Sequence, residues 1–136
     1  MSAYSDTFPW PSHSGGFAFF EQRMREHSRV LSIESNDEGL YHLATADGRI
    51  LVVFICECYS YGCAEYLETT SKLGKVDVVV INSNWCGYTE DLKFQCRSDQ
   101  IGLFNIRDFM AALNRRDYWL YLNDWDSENF KERGLL

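Results

Sequence analysis

Ile50-Leu51-Val52-Val53-Phe54-Ile55-Cys56-Glu57-Cys58-Tyr59 is the stretch on which the fold turns. It is apolar almost throughout and rich in β-branched residues, which predicts a central strand buried on both faces. It closes on one carboxylate, Glu57. Upstream, Val30 to Ser35 alternates apolar and polar residues and predicts a first strand, and Leu40 to Ala46 a second. Asn36-Asp37-Glu38-Gly39 has turn chemistry between them. Asp47-Gly48 is a strong hairpin signal, suited to a two-residue type I′ turn into a third strand from Arg49 to Tyr59.

Outward from this meander the pattern changes to helix and strand in alternation. Ser14-Gly15-Gly16 precedes a helix from Phe17 to about Ser28, with Phe17, Phe20, Met24 and His27 as its inner stripe. A second helix runs from Tyr61 to Leu73 and stops at Gly74. Val76 to Ile81 reads as a parallel-type buried strand, Asn82 to Tyr88 as a loop, and Glu90 to Ser98 as a helix capped by Thr89. Ile101 to Asn105 is a short strand, Ile106 to about Arg116 a last helix, and Tyr118 to Leu122 an edge strand or packed extension. The order α-β-β-β-α-β-α-β-α predicts a single-domain α/β protein, a mixed sheet with helices on both sides. An extended arm (1–14) and an acidic tail (123–136) flank a domain spanning residues 15–122.

With 136 residues, eight Tyr, nine Phe and four Trp, the chain has enough apolar material for one real core. No apolar run approaches a membrane span of about 20 residues, and the first residues lack the features of a signal peptide. A cytoplasmic protein is expected. The five cysteines form an odd set without an export signal, so reduced thiols are expected. A net charge of −7 disfavours a surface that holds nucleic acid by phosphate neutralisation alone, and it suits a basic protein partner.

The two-residue turn implies a register. Ala46 then faces Arg49, Leu40 faces Ile55, and Glu38 faces Glu57. His42 shares that face. Two carboxylates opposed across strands repel unless a cation, a shared proton or open solvent relieves them. A bulge before Leu40 would exchange Glu38 for Asp37.

This element order, with an acidic residue closing the third strand, resembles the restriction endonuclease-like, or PD-(D/E)xK, superfamily. Residues 74–114, from Gly74-Lys-Val-Asp-Val-Val-Val-Ile through Ile106-Arg-Asp-Phe-Met, are similar to the end of Mrr-type restriction domains. The resemblance covers roughly residues 17–114. It implies a nuclease fold in a restriction or phage-defence setting, with Glu57 as the second motif carboxylate and Glu38 as the first. Glu21 of the first helix is the implied third ligand. The family's chemistry is Mg²⁺ held by hard carboxylate oxygens, which lowers the pKa of an attacking water. At the position of the motif lysine stands Tyr59, and a tyrosine, neutral at pH 7 by its reference value, supplies no cation there. The departure implies a catalytically degenerate module; if active, the chain is an Mg²⁺-dependent endonuclease. Trp85, Tyr88 and Asn82 lie where open α/β sheets bind ligands. The competing reading is an acidic non-catalytic interaction protein (an inhibitor, immunity protein or complex subunit) that meets a basic partner. On the first reading DNA is a ligand, on the second a protein is, and neither involves a membrane.

Overall fold

The stretch Ile50–Cys56 forms the central strand, β3, of a five-stranded mixed sheet. The computed structural model describes residues 7–12, 14–37 and 39–136. In chain order the elements are α1 (Ser14–Glu26), β1 (Val30–Asp37), β2 (Leu40–Thr45), β3, β4 (Ser60–Tyr61), α2 (Cys63–Leu73) and β5 (Val78–Ile81). Then come β6 (Gly87–Tyr88), α3 (Glu90–Ser98), β7 (Gly102–Asn105), α4 (Ile106–Ala112), a 3-10 turn at Tyr118–Leu120 and α5 (Asp124–Glu132). The sheet order is β1-β2-β3-β5-β7, antiparallel through the first three strands and parallel from β3 onward. The expected α/β architecture with helices on both faces is the one adopted. Among the described residues no helix is long and apolar enough to cross a membrane.

Alternation along the strands divides the interior in two. Tyr41, Leu43, Val53, Ile55, Val78 and Val80 face α1 and α4, where Phe20, Met24 and Phe109 meet them. Phe54, Cys56, Val79, Ile81 and Leu103 face α2 and α3 and also pack with Trp10 of the arm. The N-terminal segment is thus anchored in the core, with Trp10 buried. His27, at the end of the α1 stripe, accepts from the Arg29 amide at Nδ1 (3.1 Å) and lies 2.8 Å from the Met110 carbonyl at Nε2. That pattern requires the neutral tautomer protonated on Nε2.

The hairpin differs from expectation by one residue, and everything about its faces follows from that. Leu40 pairs with Phe54 and Ala44 with Ile50, so Ile55 is not opposite Leu40. A type I′ turn needs positive φ at both central residues. Gly48 has it (φ 86°) and Asp47 does not. The loop is instead Ala46-Asp47-Gly48, closed by Thr45 N–H to the Arg49 carbonyl (2.8 Å) and Gly48 N–H to the Thr45 carbonyl (3.0 Å). Asp47 accepts from the Thr45 hydroxyl and pairs with Arg49 at 2.8 Å, which together hold its carboxyl down at about 2. Side-chain chemistry within the loop therefore selects the three-residue form. A one-residue slip reverses the faces. His42 falls opposite Val52, on the face away from Val53 and Ile55.

Two further expectations are corrected. The third strand stops at Cys56, because the Glu57 N–H leaves the ladder and donates to the Trp10 carbonyl (2.7 Å). The acidic segment 123–136 is not a featureless tail. Asn123 caps α5 by accepting from the Asp126 amide (2.7 Å), and Phe130 is fully buried, edge-on to Phe94 of α3. Tyr118–Leu120 adopts the packed 3-10 form rather than an edge strand.

Candidate functional site

The parallel strands β3, β5 and β7 end side by side, and the loops that follow them build a concave edge. Open α/β sheets present ligand crevices at this end. After β5 the chain enters residues 82–86, which return beside β3 through the two-stranded ribbon β4–β6. Asn82 N–H donates to the Cys56 carbonyl (2.8 Å) and Gly87 N–H to that of Tyr59 (3.1 Å). The loop is thereby fixed to the segment that carries Glu57.

Glu57 is 5 % exposed and lines a cavity of about 310 Å³ with Gly16, Phe19, Asn82, Ser83 and Trp85. A neighbouring cavity of about 480 Å³ shares Phe19, Asn82, Ser83 and Asn84 and adds Asn105 and Arg107. A third, of about 210 Å³, adjoins through Ile81, Cys86 and Asn105 and is walled by Tyr88, Glu90, Trp125 and Asp126. The groove therefore runs along the carboxyl edge from α1 to α5. Its rim is aromatic: Trp85 and Trp125 are 69 % and 72 % exposed.

The residues singled out in the sequence are distributed unevenly along this groove. Glu57, Asn82 and Trp85 come together in it. Tyr88 lies in its third compartment, where its hydroxyl donates to Asp126 (2.5 Å). Burial, then that carboxylate, pushes the Tyr88 phenol well above its ordinary value. Tyr59 is largely exposed and does not line the cavity beside Glu57. Glu21 accepts from the Tyr41 hydroxyl (2.9 Å) and pairs with Arg25 (3.4 Å), so it serves the α1–β2 contact. Glu38 lies outside the described residues, and the register that set it opposite Glu57 is not the one β2 and β3 adopt.

Asn82 has a positioning role. Its amide donates to the Ser12 hydroxyl (3.1 Å) and the Gly16 carbonyl (3.3 Å), tying the start of α1 to the end of β5. A Cβ on Gly16 would stand 2.9 Å from the Ser12 Cβ and 3.0 Å from Asn82 Nδ2. Gly16→Ala is expected to displace this clamp and cost about 1–3 kcal/mol. Urea unfolding of the variant, alongside loss of contact shifts at the Asn82 amide by NMR, checks it.

The descriptors of Mg²⁺ chemistry are incompletely met by the described residues. They contain no group of three carboxylate, imidazole or thiol side chains placed to hold a metal ion. Among the described residues Glu57 is the single carboxylate lining its cavity, and Glu21 is engaged elsewhere. Of the described Lys and Arg residues, only Arg107 lines either cavity of the main groove.

Sequence reading missed a buried polar cluster beneath the third compartment. Lys93, 2 % exposed, donates to the Leu103 carbonyl and stands 4.1 Å from the centre of the Phe104 ring. Asp108 and Asp126 are both buried beside it, Asp108 accepting from Asn123 (2.7 Å). The available signal was Lys93 between Leu92 and Cys96 on the inward stripe of α3, but a lysine there also reads as a stem reaching solvent. Taken together, fold and site define a single-domain mixed-sheet α/β protein with a groove at the carboxyl ends of its parallel strands. No family model, curated protein or solved structure matches the chain.

Proposed function

We propose that the chain is a nuclease-fold module of restriction endonuclease-like ancestry, catalytically degenerate, that binds nucleic acid along the carboxyl-edge groove in a restriction or phage-defence setting. One observation carries the reading: Glu57 leaves the end of the central strand of an antiparallel-then-parallel sheet and opens into a groove, while Tyr59 occupies the place of the motif lysine. The groove offers what a nucleotide requires apart from catalysis. Phe19 and Trp85 are aromatic faces for stacking, Ser83 and Asn84 are polar groups for base edges, and Arg107 is a cation for phosphate. No catalytic step is assigned through Mg²⁺, because the described residues do not complete a site for it.

Fluorescence anisotropy with labelled single- and double-stranded oligonucleotides, beside a cleavage assay in Mg²⁺ and Mn²⁺, tests this. Binding without cleavage is expected, weakened about 10-fold by Trp85→Ala, as loss of one stacked base predicts. Cleavage that Glu57→Gln abolishes would make the chain an active endonuclease and overturn the degenerate reading. Absence of binding to every oligonucleotide would overturn the nucleic-acid setting.

A second reading is supported by α5, where exposed Trp125 stands between Asp124 and Asp126 and near Glu90. An exposed tryptophan among carboxylates is a fitting anchor for a basic protein partner. On that reading Trp125→Ala leaves oligonucleotide titrations unchanged and removes partner binding.

A further inference from the structure

Glu90, at the start of α3, and Asp126, in the first turn of α5, wall the same cavity and lie within hydrogen-bonding reach of each other. Glu90 Oε2 and Asp126 Oδ1 are both shielded from solvent, and among the described residues neither has a hydrogen-bond donor. The other Asp126 oxygen is satisfied by the Tyr88 hydroxyl. Two neighbouring carboxylates, each with an oxygen shielded from solvent and without a donor, cannot both be charged at small cost; desolvation and like charge act together against it. A proton held between the two side chains supplies the missing donor.

We propose that Glu90 and Asp126 share one proton and that this carboxyl–carboxylate bond is a pH-sensitive latch holding α5 over the third compartment of the groove. The surroundings do not supply enough positive charge to make the proton unnecessary. From α3, Lys93 is the nearest buried cation, but Asp108 of α4 stands beside it as well as Asp126, so one ammonium serves two carboxylates. From the end of α5, Arg133 reaches Glu90 only weakly, being paired with Asp91 at 2.8 Å. From β6, Tyr88 is a neutral donor. The Trp125 indole also donates to Glu90. One buried lysine thus serves Asp108 and Asp126, Glu90 adds a further carboxylate beside Asp126, and the remaining negative charge is relieved by protonation.

The sign follows from linkage. Burial, then Asp126, raises the Glu90 carboxyl above its usual value, so the folded state binds more protons than the unfolded one once pH exceeds the ordinary carboxylate range. The latch is fully closed at acid pH and is lost as pH rises through the raised value. Its release loosens the first turn of α5, with Trp125, against the groove wall while the Tyr88 hydroxyl keeps its bond to Asp126 and Phe130 stays seated on Phe94. The compartment that adjoins the main groove through Cys86 and Asn105 then widens.

Carboxyl-carbon NMR of the unmodified protein is the first test. Glu90 is expected to titrate above the ordinary carboxylate range, whereas titration within that range would overturn the shared proton. Amide exchange in residues 124–128, corrected for the intrinsic rate, is the second. Protection is expected to fall about 10-fold or more between about pH 5 and about pH 8. Glu90→Gln, whose amide donates permanently to Asp126, is expected to flatten that dependence. Flat exchange in the unmodified chain, or an unchanged transition in Glu90→Gln, would overturn the latch. Neither readout depends on what the groove binds.

Discussion

Lys93→Ala is expected to destabilise the protein by about 3–5 kcal/mol, the range for removing one partner from a buried charged group. The lysine is not merely a buried cation. Its ammonium neutralises part of the charge of Asp108 and Asp126, its amine donates to the Leu103 carbonyl, and it lies over the Phe104 ring. Alanine removes all three interactions and leaves both carboxylates in low dielectric. Lys93→Met keeps the packed stem and is expected to recover about 1–2 kcal/mol of the loss. Denaturant unfolding at neutral pH checks both values, and near-neutral variants would show that α5 and α4 bring their carboxylates less close than argued.

The same residue sets a pH dependence. Burial pushes the Lys93 amine down to about 8, against an ordinary value of 10.5. Between those values the unfolded chain binds the extra proton, so stability rises with pH across that window. Below about 8 both states are protonated and the cost of burying the charge is present in full. At the alkaline end buried tyrosines act oppositely: Tyr118, raised by burial to about 12, stays neutral when folded and favours the folded state less as pH passes the ordinary phenol value. Unfolding free energies at about pH 8 and about pH 10 should therefore rise in the unmodified chain, and the rise should vanish in Lys93→Met.

Gly39→Ala is expected to be nearly as damaging, about 3–4 kcal/mol. Gly39 has φ of +82°, and a Cβ there would lie 2.5 Å from the Ile55 carbonyl oxygen. Its own carbonyl accepts from the Ile55 N–H (2.8 Å). The left-handed conformation costs an L-residue about 1–2 kcal/mol, and relieving a clash with backbone sacrifices that hydrogen bond as well. Gly48→Ala is the matched control. Its φ is +86° but its Cβ would meet nothing within 4 Å, so only the conformational cost of about 1 kcal/mol remains. Equal losses in the two variants would show that the close approach of β2 and β3 at Gly39 is not the constraint. The measurement also probes the segment that delivers Glu57, two residues beyond Ile55.

Elements were legible where the side-chain pattern is local. The stripe of Phe20 and Met24, the β-branched run Val78–Ile81, the Thr89 cap and the stop at Gly74 all encode their structure within a few residues, and each appears where expected. The groove was half legible. Glu57 at a strand end and Trp85 in a following loop announce themselves, but Phe19 and Arg107 sit in helices whose exposed residues carry no distinguishing mark. The register that would oppose Glu38 to Glu57 failed at the hairpin. Asp-Gly fits both a two-residue and a three-residue loop, and the choice fell to the Thr45 hydroxyl and the Arg49 guanidinium gathered on Asp47.

The chain by itself determined the order of helices and strands and the mixed sheet they form, because periodic burial and turn chemistry act over short distances. Only the tertiary structure decided which side chains share a face, that α5 is packed rather than trailing, and that Lys93 lies beside Asp108 and Asp126. Register depends on side chains meeting across a turn, and the ionisation of buried groups depends on neighbours distant in sequence.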